Sequence, residues 1–131
     1  MIEEFDVIVI GGGAAGENVA GRVQDGGLSA VVIESDLIGG ECSYWACMPS
    51  KALLRPGEAL AMARRVPSIR DAVTGGIDVD KALSSRNAFA SNWDDSGQEQ
   101  WLASVNAELI RGHGKITGEK AVTAFDIAWV N

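Results

Sequence analysis

Apolar runs alternate with glycine-rich breaks in the first part of the chain. Residues Phe5 to Ile10 form a short apolar run, rich in β-branched side chains and bounded by charge and glycine, which is typical of a buried parallel strand. Residues Ala14 to Gln24 carry apolar side chains at helical spacing, and Asp25-Gly26-Gly27 supplies a helix stop. Leu28 to Ile33 repeats the strand pattern. This order predicts a βαβ unit, and therefore a Rossmann-like α/β fold with a parallel sheet.

The rest of the chain predicts further helices followed by a β-rich stretch. A helix is expected from Pro49 to about Val66, kinked or broken at Pro56-Gly57 because proline removes a backbone donor and clashes with the preceding turn. Two more helices are expected at about Val79 to Ala90 and about Gly97 to Ala107. Beyond them, β-rich runs predict a small antiparallel excursion: Leu109-Ile110, Val122-Thr123 and Ile127 to Val130.

Composition and charge narrow the functional classes. A chain of 131 residues with 47% hydrophobic residues has the size and the core of one globular domain. Its formal net charge of -7 and the lack of a basic cluster argue against a nucleic-acid or membrane partner. The start, Met1-Ile2-Glu3-Glu4, has no basic region, and Val7 to Ile10 is too short for a signal peptide or a span. We expect a cytoplasmic protein, in which two closely spaced cysteines favour a chemical role.

The turn after the first strand, Gly11-Gly12-Gly13-Ala14-Ala15-Gly16, fits the G-x-G-x-x-G dinucleotide pattern. In this pattern Gly11 permits the tight turn, Gly13 lets the backbone approach a pyrophosphate, and Gly16 allows close packing of helix on strand. The helix that begins there directs unpaired N–H groups and its positive dipole end at the phosphates. Glu34 ends the second strand, where a carboxylate accepts hydrogen bonds from a ribose diol. A nucleotide site is predicted, although the pattern does not separate FAD from NAD.

Four residues separate Cys42 from Cys47. In a regular helix this spacing is about 7.5 Å along the axis and about 140° around it, whereas a disulfide requires Cα atoms within roughly 4.4–6.8 Å. If the two bond, the segment is distorted, with Cys42 in a loop and Cys47 near the start of the helix that Pro49 opens. A helix N-terminus favours Cys47 as the stable thiolate. We favour a redox pair over two buried reduced cysteines, and two cysteines with one histidine in this spacing do not predict a metal site.

The cysteines lie within Gly39-Gly40-Glu41-Cys42-Ser43-Tyr44-Trp45-Ala46-Cys47-Met48-Pro49-Ser50-Lys51. This segment resembles the active-site signature of the class I pyridine nucleotide-disulfide oxidoreductases, a family that includes lipoamide dehydrogenase, glutathione reductase and mercuric reductase. The resemblance implies a flavoprotein that passes electrons from NAD(P)H through FAD to the Cys42–Cys47 disulfide and on to a disulfide or related acceptor. Cys47 would lie beside the flavin and form the charge-transfer complex, Cys42 would exchange with substrate, and Lys51 would lie near the flavin N5.

The resemblance also implies which residues bind FAD. Most of them belong to the glycine turn, the end of the second strand and the cysteine segment: Gly11, Gly13, Ala14, Ala15, Gly16, Glu34, Ser35, Gly39, Gly40, Glu41 and Lys51. The tract Arg111-Gly112-His113-Gly114-Lys115-Ile116-Thr117-Gly118 is similar to a lipoamide dehydrogenase segment whose second glycine contacts FAD through its backbone. Gly114 is therefore expected to bind FAD.

Two positions depart from the family pattern. Glu41 stands where the family usually has threonine, and a carboxylate there would be repelled by the pyrophosphate unless it turns away or pairs. Tyr44-Trp45-Ala46 replaces the usual Asn-Val-Gly. The two aromatic side chains either pack against the flavin or fill core, and we favour core for both. These departures leave the physiological acceptor open.

The resemblance implies that residues 1–131 are the N-terminal part of an FAD-binding domain. The sequence carries no second G-x-G-x-x-G, so the NAD(P)H-binding and C-terminal dimerisation domains are expected to be absent from it. The full-length enzyme is expected to be a homodimer that acts on a small-molecule or protein disulfide in cell redox homeostasis, and residues 1–131 alone are expected to lack turnover. The alternatives are a nucleotide-binding module without redox chemistry and an NAD-dependent dehydrogenase fragment with incidental cysteines.

Overall fold

The computed structural model describes residues 2–125, which form two compact units. The first, the sheet unit, comprises residues 2–40 and 94–125. The second, the helical unit, comprises residues 41–93.

A three-stranded parallel sheet is the frame of the sheet unit. Its strands are β1 (Val7–Ile10), β2 (Ala30–Glu34) and β3 (Glu108–Arg111), in the order β1-β2-β3, and helix α1 (Ala14–Asp25) connects the first two. Helix α1 ends where the sequence predicts, at Gly26 as the C-cap. The predicted βαβ unit and the α/β fold class are therefore confirmed.

One face of this sheet carries the hydrophobic core. The register places Val9 opposite Val32, and Val32 opposite Leu109, so these side chains share a face. Helix α1 and helix α6 (Ser96–Ser104) contribute side chains to the same cluster. Its buried members are Ala20, Ala30, Val32, Ile38, Leu102 and Ala107.

A two-stranded antiparallel hairpin lies against the opposite face. It consists of β4 (His113–Gly118) and β5 (Ala121–Phe125), which confirms the predicted antiparallel excursion for Val122-Thr123. The same prediction was wrong for Leu109-Ile110, because this run pairs in parallel with β2 as a strand of the main sheet. The third predicted run, Ile127 to Val130, lies outside the described residues.

The helical unit contains four helices and a short 3₁₀ turn. Short helix α2 (Gly40–Tyr44) leads into it. The elements that follow along the chain are α3 (Cys47–Arg65), α4 (Pro67–Arg70), α5 (Val79–Phe89) and the turn Ser91–Trp93. Asp78 caps α5 by accepting a hydrogen bond from the Lys81 N–H at 3.1 Å. Among the described residues, no helix is both long enough and apolar enough to span a bilayer.

Helix α3 runs for 19 residues and includes Pro56, so the helix is not broken at Pro56-Gly57, and the alternative of a kink there stays a prediction. Proline has no N–H, so one backbone hydrogen bond of the helix is lost. It also disfavours the helical conformation of the residue before it. The packing of α3 along α5 compensates for this loss, because tertiary contacts routinely override local propensity.

Candidate functional site

The glycine turn between β1 and α1 is closely packed at one position and open at another. A β-carbon placed on Gly16 would lie 2.0 Å from the Gly11 carbonyl oxygen, so the helix approaches the strand this closely only with glycine there. A β-carbon placed on Gly13 would meet nothing within 4 Å, so the fold itself does not require glycine at that position. Gly13 is also the N-cap of α1 and gives no side-chain cap to the first-turn N–H groups. The turn therefore offers an open helix N-terminus, which fits a pyrophosphate.

A second stretch of backbone lies directly against this turn. The Gly39 N–H donates to the Gly12 carbonyl oxygen at 2.8 Å, and Gly13 and Gly39 form a parallel bridge. Gly40 has φ +57°, and a β-carbon there would lie 2.9 Å from the Gly13 Cα. Residues 36–40, called here the second-wall loop, thus stand beside the turn, and the structure brings Gly39 and Gly40 next to Gly13 as the sequence-based site requires.

Glu34 fixes the backbone around the turn. Its Oε2 accepts from the Gly12 N–H at 2.6 Å, and its Oε1 accepts from the Asp36 N–H at 2.7 Å. Each carboxylate oxygen has a further lone pair that can accept from a ribose hydroxyl, so the arrangement fits the predicted role. The structure adds a second role that the sequence did not indicate, because the Glu34 carboxylate joins the backbone of Gly12 to that of Asp36. Neighbouring Ser35 is half-buried in a bend.

Arg111, at the end of β3, joins three segments of the sheet unit. Its guanidinium donates to the Asp36 carbonyl oxygen at 2.5 Å, to Asp95 Oδ2 at 2.6 Å and to the Glu99 carboxylate. Asp95 Oδ2 also accepts from the Ile38 N–H at 2.8 Å. Partial burial lowers the pKa of Arg111, but the hydrogen bonds and charges of Glu99 and Asp95 raise it more, so it lies above its ordinary value. Sequence reasoning missed these residues, because no short motif marks an ion pair between distant segments.

Gly114 lies in β4 against the end of the parallel sheet. A β-carbon on Gly114 would lie 3.1 Å from the Ile10 Cγ2 and 3.3 Å from the Ile33 Cγ2. Glycine therefore lets the hairpin backbone lie close to the strand ends. The predicted contact of this backbone with FAD stays a prediction.

The cysteine segment bends between two helices. Helix α2 ends at Tyr44 and α3 begins at Cys47, with Ala46 between them at φ −119° and ψ −84°. The Glu41 carbonyl oxygen accepts from the Ala46 N–H at 2.5 Å, which closes a turn wider than a helical one. Because of this break, the Cys42 and Cys47 thiols lie close enough to interact, and the predicted distortion of the segment is present. The expected position of Cys42 in a loop was wrong, because Cys42 lies within helix α2. Helix α3 begins two residues before Pro49, so Cys47 is its first residue.

The two thiols are not equivalent. Both are free and half-buried. The pKa of Cys42 is raised above its ordinary value by its hydrogen bond to Cys47, then by burial and by the charge of Cys47, while the charge of Lys51 opposes the shift. Cys42 therefore tends to keep its proton. Lys51 itself is exposed on α3, and the Glu41 side chain is exposed on α2.

The two aromatic residues between the cysteines have opposite environments. Tyr44 is only 1% exposed, so the core prediction is right for it, whereas Trp45 is 50% exposed and the prediction was wrong. Trp45 stands at the break between the helices, where its ring contacts the Trp93 ring at a tilt of 39°, with centroids 5.9 Å apart. The Arg86 guanidinium lies over the Trp93 ring, 5.5 Å from its centroid.

The fold and these groups define an α/β nucleotide-binding protein with a dithiol at the start of a helix. The chain belongs to the pyridine nucleotide-disulphide oxidoreductase family, whose family model matches residues 5–129. Members of this family are oxidoreductases that bind FAD and use NAD(P)H, so the expected family and its cofactors are confirmed.

Individual relatives agree with this assignment. The dihydrolipoyl dehydrogenase of Rhizobium etli is 33% identical over 118 residues, covering 89% of this chain and 24% of that protein. The mercuric reductase of Lysinibacillus sphaericus is 27% identical to this chain. The match covers 92% of this chain and 22% of that protein. The chain thus spans about a quarter of the length of these relatives.

A solved structure shows the same fold. The HOCl-induced flavoprotein disulfide reductase RclA of Escherichia coli, determined as a Cu(II) complex, matches with a TM-score of 0.68 at 20% identity. The match covers 88% of this chain and 23% of that one.

Proposed function

We propose that residues 1–131 are the N-terminal part of the FAD-binding domain of a pyridine nucleotide-disulfide oxidoreductase. In the whole protein, electrons pass from NAD(P)H through FAD to the Cys42–Cys47 disulfide and on to a disulfide or related acceptor. The observation that carries this proposal is the pair of free, half-buried thiols on either side of a helix break, with Cys47 as the first residue of α3.

The cysteine pair supplies the sulfur chemistry. Cys42 attacks one sulfur of the acceptor disulfide and forms a mixed disulfide, and Cys47 then attacks Cys42 and releases the second half. One acceptor disulfide and two protein thiols become two acceptor thiols and one Cys42–Cys47 disulfide, so two electrons and two protons move together. The attacking form of Cys42 is the thiolate, so Cys42 loses its proton as it attacks.

The sheet unit supplies most of the residues that would hold the cofactor. The turn around Gly13 and the first-turn N–H groups of Ala14 and Ala15 would bind the pyrophosphate, and Glu34 would bind the ribose. When bound, FAD accepts the hydride of NAD(P)H and supplies two electrons to the disulfide. Glu41 is exposed, so its carboxylate is free to turn away from a phosphate. Lys51 would favour negative charge on the ring system, while Gly114 would contribute a backbone contact.

The whole protein is proposed to be a cytoplasmic homodimer that acts on a small-molecule or protein disulfide. The sequence contains a single G-x-G-x-x-G, which the FAD site uses. Residues 1–131 by themselves are therefore proposed to give no NAD(P)H-dependent turnover.

FAD affinity tests the cofactor site separately from turnover. In Gly13→Ala the new methyl group meets nothing in the protein, so the unfolding temperature should fall only by the small cost of alanine at the N-cap, but the methyl occupies the space that the pyrophosphate needs. We expect FAD fluorescence titrations to show at least about a tenfold weaker Kd. Gly57→Ala is the matched control, since a β-carbon there also meets nothing within 4 Å. Equal FAD affinity in Gly13→Ala and wild type would contradict the proposed site.

A further inference from the structure

Residues at the end of β3 and next to the start of α6 form hydrogen bonds to the second-wall loop. Arg111 binds the loop directly through the Asp36 carbonyl oxygen at 2.5 Å. It binds the loop a second time through Asp95, whose Oδ2 accepts from both the Arg111 guanidinium at 2.6 Å and the Ile38 N–H at 2.8 Å. The loop is thus fixed at two points on either side of Leu37.

The residues that follow these two hydrogen-bonded positions contact the glycine turn directly. Gly39, the residue after Ile38, donates to the Gly12 carbonyl oxygen at 2.8 Å, and Gly40 lies against the Gly13 Cα. A shift of the loop by a fraction of an ångström would therefore change the opening in which we place the pyrophosphate.

The chemistry of the contact favours arginine. The Asp95 side chain is 14% exposed and that of Arg111 is 39% exposed, so the pair is partly shielded from water. A guanidinium presents several donors in a rigid plane and can bind a carbonyl oxygen and a carboxylate at once. Lysine keeps the charge but lacks this fork, so it should restore only part of the arrangement. Glu99 adds a second carboxylate on the same guanidinium.

We propose that Arg111 and Asp95 are positioning residues, which hold the second-wall loop against the glycine turn and thereby set the affinity for FAD without touching it. This inference rests on the proposed function, since it takes FAD as the ligand of the turn. It assigns a binding role to an ion pair on the far side of the loop.

The test combines amide exchange with FAD affinity in Arg111→Met, Arg111→Lys and Asp95→Asn. We expect the Ile38 and Gly39 amides to exchange about tenfold faster in Arg111→Met, and the FAD Kd to rise about tenfold, with Arg111→Lys intermediate in both. Amides within α3 should keep their wild-type rates. Arg64→Met is the matched control, because Arg64 also donates to a backbone carbonyl, that of Gly75 at 2.9 Å, but lies in the helical unit.

Each readout can overturn the proposal by itself. Unchanged exchange at Ile38 and Gly39 in Arg111→Met would show that the ion pair does not hold the loop. Faster exchange with an unchanged FAD Kd would show that the loop does not set affinity. If Arg111→Met does not fold, Arg111→Lys and Asp95→Asn give the same comparison. A wild-type protein that binds no FAD would refute the proposed function, and with it the effect on affinity, while the exchange rates would still decide whether Arg111 positions the loop.

Discussion

The close approach of α1 to β1 makes Gly16→Ala the sharpest test of the described packing. The added β-carbon would lie 2.0 Å from the Gly11 carbonyl oxygen and 3.2 Å from the Val9 Cγ1. Non-bonded atoms prefer separations of about 3.5 Å, so the helix would have to move by about 1.5 Å. The obstructing atom belongs to the backbone and cannot rotate aside, which places the cost near the upper end of the ~1–3 kcal/mol typical of overpacking.

A smaller effect acts in the opposite direction. Alanine in a helix is favoured over glycine by up to about 1 kcal/mol. The net loss in the free energy of unfolding of Gly16→Ala should therefore be about 2 kcal/mol, which corresponds to a fall of about 5–10 °C in Tm. Urea unfolding followed by circular dichroism measures the loss directly.

The same substitution at Gly57 is the control. Gly57 lies within α3, and a β-carbon there meets nothing within 4 Å. Gly57→Ala should therefore stabilise the protein by about 0.5–1 kcal/mol through helix propensity alone. If Gly16→Ala proves as stable as wild type, or shifts in the same direction as Gly57→Ala, the close packing of α1 on the strand end is refuted.

Three further substitutions have defined outcomes. Pro56→Ala should raise the free energy of unfolding by about 1–3 kcal/mol in urea, since it restores a helical hydrogen bond in α3, and a decrease would contradict a continuous helix. Cys47→Ala should lower the pKa of Cys42, measured from the pH dependence of its alkylation rate, because the hydrogen bond and the charge that raise it are removed. Lys51→Met should move the same pKa upward, because the positive charge that lowers it is lost. Shifts of opposite sign in either variant would contradict the described electrostatics of the pair.

Local patterns predicted the first half of the sheet unit well. The strand, the glycine turn and the helix of the βαβ unit follow one another directly, so each is marked by its own run of residues. Strand β3 was misassigned because its apolar run carries no signal of its partner, β2, which lies far away in the sequence. Parallel and antiparallel strands of four residues look alike in one sequence.

The candidate site shows the same limit. The glycine pattern and the cysteine spacing identify the candidate groups, but the bend at Ala46 that brings the thiols together carries neither proline nor glycine. Trp45 contacts Trp93, which lies far from it in the sequence, and no local pattern marks this contact. The contacts of Arg111 depend on three segments meeting in space, which no spacing rule describes.

The central claim is that Cys42 and Cys47 form a redox pair in a protein that binds FAD, with Cys47 beside the flavin. The most direct measurement is the visible absorbance of the FAD-loaded protein, before and after one equivalent of dithiothreitol under anaerobic conditions, in wild type, Cys42→Ser and Cys47→Ser. We predict flavin bands in all three, and a new long-wavelength shoulder in wild type on reduction that persists in Cys42→Ser and is lost in Cys47→Ser. A protein that retains no flavin, or a shoulder that is lost in Cys42→Ser and kept in Cys47→Ser, would contradict the account.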